Sequence, residues 1–305
     1  MGQEVLGHRR VTEWLEGILA SGRVGHAYLF LGAKGIGKAK VAENFAKKIV
    51  ASGALWPHPD ILEIQSSGQT ISILQMRELT KQALLTPLVA ERKVYIVHQA
   101  EKLTVQAANS LLQTLEEPPP AVVFILLANA PSVLPTIMSR CQVVRFGTLS
   151  LEETVLVLQR VSGGLYDGDT MQMSARLSFG RPGEALRLLA DGVTALESIH
   201  EWVRHYLEFT LADKLNWLVI LEKEQDRLYD YVYFLAIWMR DLLWHKLGLE
   251  EYMAFAVCAE LERQSVEFET RFLQDKLQAL HGLLSEWGPG IGKRMVLDQL
   301  LVVGR

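Results

Sequence analysis

The chain has 305 residues, a formal charge of −4, 49% apolar and 22% charged residues, which is the balance of a soluble globular protein with room for two or three domains. That acidic balance removes the positive footprint with which a self-sufficient nucleic-acid binder neutralises phosphates, so any DNA contact has to be shared with partners. The only two cysteines, Cys141 and Cys258, exclude a disulfide framework and a four-thiolate zinc site within one chain, and fit a reducing cytoplasm.

The N-terminal run MGQEVLGHRRVTEWLEG lacks an apolar segment after a basic start, and no stretch approaches the roughly 20 apolar residues of a membrane span. Neither a targeting nor a membrane segment is expected. From about residue 25 to 147, short apolar runs alternate with amphipathic stretches, the pattern of a parallel α/β sheet with crossover helices. Strands are predicted at Ala27–Leu31, Asp60–Ile64, Lys93–His98, Val122–Asn129 and Gln142–Phe146, all rich in the residues of sheets covered on both faces.

The first strand runs into Gly32-Ala33-Lys34-Gly35-Ile36-Gly37-Lys38-Ala39, which matches a phosphate-binding loop at Gly32, Gly37 and Lys38 and carries a third glycine at Gly35. In such a loop the backbone N–H groups point at phosphate oxygens and the lysine bridges the outer phosphates. The next position needs a Ser or Thr hydroxyl to ligate magnesium, and Ala39 has none. The strand Val94-Tyr95-Ile96-Val97 should then end in acids that hold the ion and orient water. It ends in His98 and Gln99, with Glu101 displaced into what should be the next helix. Magnesium-assisted hydrolysis therefore lacks its groups, and the loop fits either a bare strand-to-helix turn or one retaining ATP or an anion. His98, at a strand end, is assigned no chemistry.

After Thr148 the periodicity becomes helical. Ser150 with Glu153 three residues on is a capping box, Gly163 and Gly164 end that helix, and further helices run to about Ala190 and on to the C-terminus. The stretch DRLYDYVYFLAIWMRDLLWHKLG stacks aromatics at helical spacing. It suits a helix buried in a bundle or subunit interface better than a base-stacking platform, because it is not basic. Gly288-Pro289-Gly290-Ile291-Gly292-Lys293-Arg294 imitates a phosphate loop but follows a helical stretch, where glycine and proline are ordinary punctuation.

Several stretches in order resemble the clamp-loader subunits of bacterial DNA polymerase III. They are Gly25 to Gly32 with the loop that follows, His58-Pro59-Asp60, the helix Ile73 to Leu84, the strand at Val94, Ala107 to Pro119, and Leu134 to Gln142. Together they cover residues 1 to about 190, and the runs around Glu117 and Arg140 are the most specific. The resemblance implies an AAA+ fold: an ATPase-like α/β domain (1–148), a small helical lid (149–192) and an all-α oligomerisation collar (193–305). It also implies that Arg140, in Ser139-Arg140-Cys141, acts as a finger in the ATP site of a neighbouring subunit, where a guanidinium stabilises the transferring phosphoryl group.

The departures resemble the delta-prime type rather than gamma or tau. Ala39, His98 and Gln99 break the metal site, and Gly183 stands where ATPase subunits carry a lid arginine, with Arg181 two residues earlier. IVASGALWP replaces the cysteine-bearing zinc insert between Lys48 and His58, a departure even from typical delta-prime chains. No ATPase activity of its own, no cofactor and no zinc are expected. The partners implied are gamma/tau and delta subunits, the sliding clamp and, through the assembly, primed DNA. An active gamma/tau-type ATPase and a stand-alone adaptor of a DNA-processing ATPase are the rival readings.

Overall fold

The computed structural model describes residues 6–50, 57–66, 68–129, 133–191, 193–223, 227–285 and 293–303. The cysteine-free segment in place of a zinc insert falls largely outside these residues, and so does Gly288 to Gly292 of the C-terminal glycine run. The chain divides into two compact units, residues 1–163 with 180–184, and residues 164–179 with 185–305.

The first unit holds five strands, β1 (Ala27–Leu31), β2 (Ile61–Ile64), β3 (Lys93–Val97), β4 (Val122–Ala128) and β5 (Gln142–Arg145). They pair in parallel in the order β2-β3-β4-β1-β5, so β1 lies between β4 and β5, and β2 and β5 are the edges. All five predicted strands form, β1 with the predicted bounds and the other four trimmed by one residue at an end. Asp60 stands just before β2, and its buried carboxylate accepts the N–H groups of Leu88, Val89 and Ala90 at 2.6–2.8 Å, which pins the turn before β3.

Helices α1 (Arg9–Ser21), α2 (Lys38–Val50), α3 (Ile73–Ala83), α4 (Val105–Glu116), α5 (Pro135–Met138) and α6 (Leu151–Ser162) complete this unit. Because side chains alternate across a strand, the apolar runs feed two cores. Tyr28, Phe30, Ile96 and Ile125 pack on one side with α2, and Leu29, Tyr95, Phe124 and Leu126 on the other with α3 and α4. This explains why the strands read as continuous apolar stretches. The Ser150–Glu153 capping box and the left-handed Gly163 that ends α6 both form as the sequence predicts.

Helix α8 (Pro182–Asp191) begins in the first unit and continues in the second, which otherwise comprises α7 (Gly168–Leu177), α9 (Val193–His205), α10 (Leu211–Lys223), α11 (Leu228–Lys246), α12 (Ala259–Glu267), α13 (Thr270–Ser285) and α14 (Lys293–Val303). Its core is built on the aromatic-rich α11, which packs against α9, α12 and α13. Tyr231, Phe234 and Trp238 are buried, and the Trp238 indole donates to Gln264 at 2.9 Å. Those rings are therefore core, with no open face on which a base could stack. No described helix is long and apolar enough to cross a membrane.

Candidate functional site

Two places in the first unit carry the residues singled out by sequence. The first is the glycine loop at the C-terminal edge of the sheet, between β1 and α2. Gly35 has φ +81°, a left-handed backbone that favours glycine. The Lys38 side chain turns back into the loop and is 6% exposed. Its ammonium donates to the carbonyls of Gly32 at 2.7 Å and Ala33 at 2.8 Å, and to Oδ1 of Asn129 at 3.1 Å. An ammonium has three donors, so a phosphate oxygen would have to displace one of these partners.

Asn129, which follows β4, is itself fixed by Glu101. The carboxylate accepts the Asn129 side-chain amide at 2.8 Å and its backbone N–H at 3.2 Å. Glu101 sits in a single 3₁₀ turn, Ala100–Lys102, entered through a left-handed Gln99. Burial pulls the Lys38 amine down to about 8, against the opposing attraction of Glu101. The displaced acid therefore acts on the loop lysine at one remove, through the Asn129 amide and by its charge. The sequence contained a signal for this. Asn129 is the polar residue that ends an all-apolar strand at the same sheet edge as the loop.

Two further contacts close the loop. His8 donates from Nε2 to the Ile36 carbonyl at 2.7 Å. Gly183 donates its N–H to the Gly35 carbonyl at 2.7 Å, and a Cβ on Gly183 would lie 2.9 Å from that oxygen and 3.0 Å from the Gly35 Cα. Backbone touches backbone here, so any side chain at Gly183 would force the two segments apart. At the metal positions, Ala39 is exposed, and His98 Nε2 meets Glu63 Oε2 at 2.7 Å in a pair at the rim of edge strand β2.

The second place is Arg140, between α5 and edge strand β5. Leu134 and Pro135 start α5, Ser139 caps it, and Arg140 and Cys141 lead into β5. The Arg140 guanidinium pairs with the Glu116 carboxylate, and donates to the Thr136 carbonyl at 2.9 Å and the Ser139 hydroxyl at 3.2 Å. Its side chain is 33% exposed. Burial pushes the neighbouring Cys141 thiol up to about 12, which makes it a packed residue rather than a nucleophile.

Residues 7–150 match the family described as DNA polymerase III, delta subunit. The subunit delta' of DNA polymerase III from Bacillus subtilis (strain 168) is 29% identical over 267 residues, 81% of this chain and 80% of that protein. The chain is thus similar to DNA polymerase III clamp-loader subunits over most of its length. Subunit tau of the same organism is 28% identical over 212 residues, 63% of this chain, which spans only 38% of tau's length. A DNA polymerase III gamma-subunit-related protein from Thermotoga maritima shares the fold, with a TM-score of 0.56 at 19% identity, over 95% of this chain and 98% of that one. This clamp-loader relative thus pairs a parallel α/β unit with a helical C-terminal unit.

Proposed function

We propose that this chain is the non-catalytic, delta-prime-type subunit of a replicative clamp loader, supplying Arg140 in trans to an adjoining ATPase subunit while the assembly loads the sliding clamp onto primed DNA. The observation that carries this reading is the contrast at the loop. Lys38 is engaged by Gly32, Ala33 and Asn129, and the following position, Ala39, offers no hydroxyl for magnesium. Hydrolysis in this subunit would lack both the metal ligand and a free lysine, whereas Arg140 keeps a solvent-reachable guanidinium beside an edge strand. Gamma/tau and delta subunits are the expected partners, residues 149–192 the lid and 193–305 the collar. The chain works in the cytoplasm without zinc or a nucleotide of its own.

The test is Arg140→Ala in the assembled loader. Fingers supplied in trans contribute roughly 10³- to 10⁵-fold in turnover in well-characterised phosphoryl-transfer systems, diluted here by the other sites. DNA- and clamp-stimulated ATP hydrolysis and clamp loading fall while assembly stays intact. Arg140→Lys restores them incompletely, because an ammonium lacks the bidentate fork. Wild-type loading by a fully assembled Arg140→Ala complex would refute the proposal.

A further inference from the structure

The two most specific stretches of the sequence meet at one point. Helix α4 ends in Leu115-Glu116-Glu117-Pro118-Pro119, and Glu116, its last residue, faces Arg140 of Ser139-Arg140-Cys141, 24 positions along the chain. Glu117 leaves helical geometry at φ −122°, ψ 68°, as a residue before proline must, and Pro118 and Pro119 cannot continue the helix. The run of acid and proline therefore stops α4 where its terminal carboxylate reaches the guanidinium.

Arg140 is held from two elements. Glu116 accepts from Nη2, while Nη1 donates to the Thr136 carbonyl one turn back in α5 and to the adjacent Ser139 hydroxyl. A long, flexible side chain is thereby confined to a narrow set of rotamers. With side chains 33% and 50% exposed, the pair stays in contact with solvent. A single half-exposed carboxylate is a weak holder, and the several charged oxygens of a nucleotide would outcompete it.

We propose that Glu116 is the positioning residue for Arg140: it orients the guanidinium within the subunit and yields it to the phosphoryl oxygens of a nucleotide held by the neighbour. This rests on the trans-acting role proposed above. Because the pair is weak, removing Glu116 relieves little competition but disperses Arg140 over many rotamers, so the net effect on turnover is a loss.

The experiment has two arms. In the full chain, the rate at which phenylglyoxal modifies Arg140, followed by mass spectrometry of its peptide, rises about threefold in Glu116→Ala and less in Glu116→Gln, the order expected for loss of one exposed ion pair. In the assembled loader, Glu116→Ala lowers kcat for ATP by roughly three- to tenfold with KM unchanged, as when a long side chain loses its preferred rotamer. The same substitution has no further effect in an Arg140→Ala background. Equal modification rates in wild type and Glu116→Ala, or losses that add in the double variant, overturn the proposal. If Arg140→Ala alone leaves turnover unchanged, the trans-acting role fails, and the modification rates still decide whether Glu116 holds the guanidinium.

Discussion

The glycine loop and the Arg140 corner lie in the same unit, each built around one cation, and they treat it differently. At the loop, Lys38 is buried and its three donors all face oxygens of the chain, while Glu101 holds Asn129 and His8 and Gly183 bond the neighbouring loop carbonyls of Ile36 and Gly35. At Arg140 the guanidinium is partly exposed and rests on one half-exposed carboxylate, one carbonyl and one hydroxyl. The motif with the better-known consensus is the one absorbed into the structure. The arginine, with no consensus loop of its own, keeps the freedom to meet something outside the chain. A retained lysine in a phosphate loop is therefore weak evidence of nucleotide chemistry until its donors have been traced.

That contrast can be broken in order of expected effect. The largest concerns pH. The folded Lys38 amine sits near 8 and its unfolded value near 10.5, so between these values the unfolded chain binds the extra proton and stability rises with pH. Relative to Lys38→Met, the wild-type chain should gain stability as pH climbs from 8 to 10.5, by at most about 3 kcal/mol, measured by denaturant unfolding at each pH. Parallel curves for the two proteins would mean that Lys38 is solvated rather than enclosed.

Next is Gly183→Ala, which forces a Cβ to within 2.9 Å of the Gly35 carbonyl. Overpacking of backbone on backbone should cost about 2 kcal/mol, read as a lowered urea midpoint with unchanged slope. Glu101→Gln keeps one acceptor for Asn129 but removes the charge that supports Lys38. About 1 kcal/mol should be lost at pH 7, and the amine should titrate lower still, visible by NMR of the lysine side chain. Smallest is Arg140→Ala, expected to change thermal stability by about 0.5 kcal/mol or less, since partly exposed pairs contribute little. A large destabilisation there would move Arg140 into the structural class and erase the contrast.

Much of the fold was legible because period and chemistry agreed. Strands buried on both faces show as unbroken apolar runs, and Ser150, Glu153 and Gly163 mark the limits of α6 by hydrogen bonds that only those residue types make. The partners at the loop were less legible. Glu101 looked misplaced because sequence spacing assumes that a strand ends and a helix begins, whereas a left-handed Gln99 and one 3₁₀ turn bring its carboxylate back to Asn129. Gly183 was identified as the wrong residue for a lid arginine, but the reason, backbone contact with Gly35, belongs to three dimensions. The link between Glu116 and Arg140 was invisible for the same reason, since two local motifs carry no mark of their mutual distance.

The placing of β1 between β4 and β5 has a consequence for how the chain is made. Ala27 to Leu31 leaves the ribosome as five consecutive apolar residues, yet its partners begin at Val122 and Gln142. At bacterial elongation rates of roughly 5–20 residues per second, this interior strand waits about 5–20 seconds before either neighbour exists. During that interval its ladder groups are unpaired and its side chains have only part of their core, such as α2, to pack against. Nascent chains arrested before Val122 should therefore be captured by holdase chaperones through this segment, and chains arrested well beyond Arg145 should not. Strand order thus gives this chain a period of dependence on other proteins while it is being made.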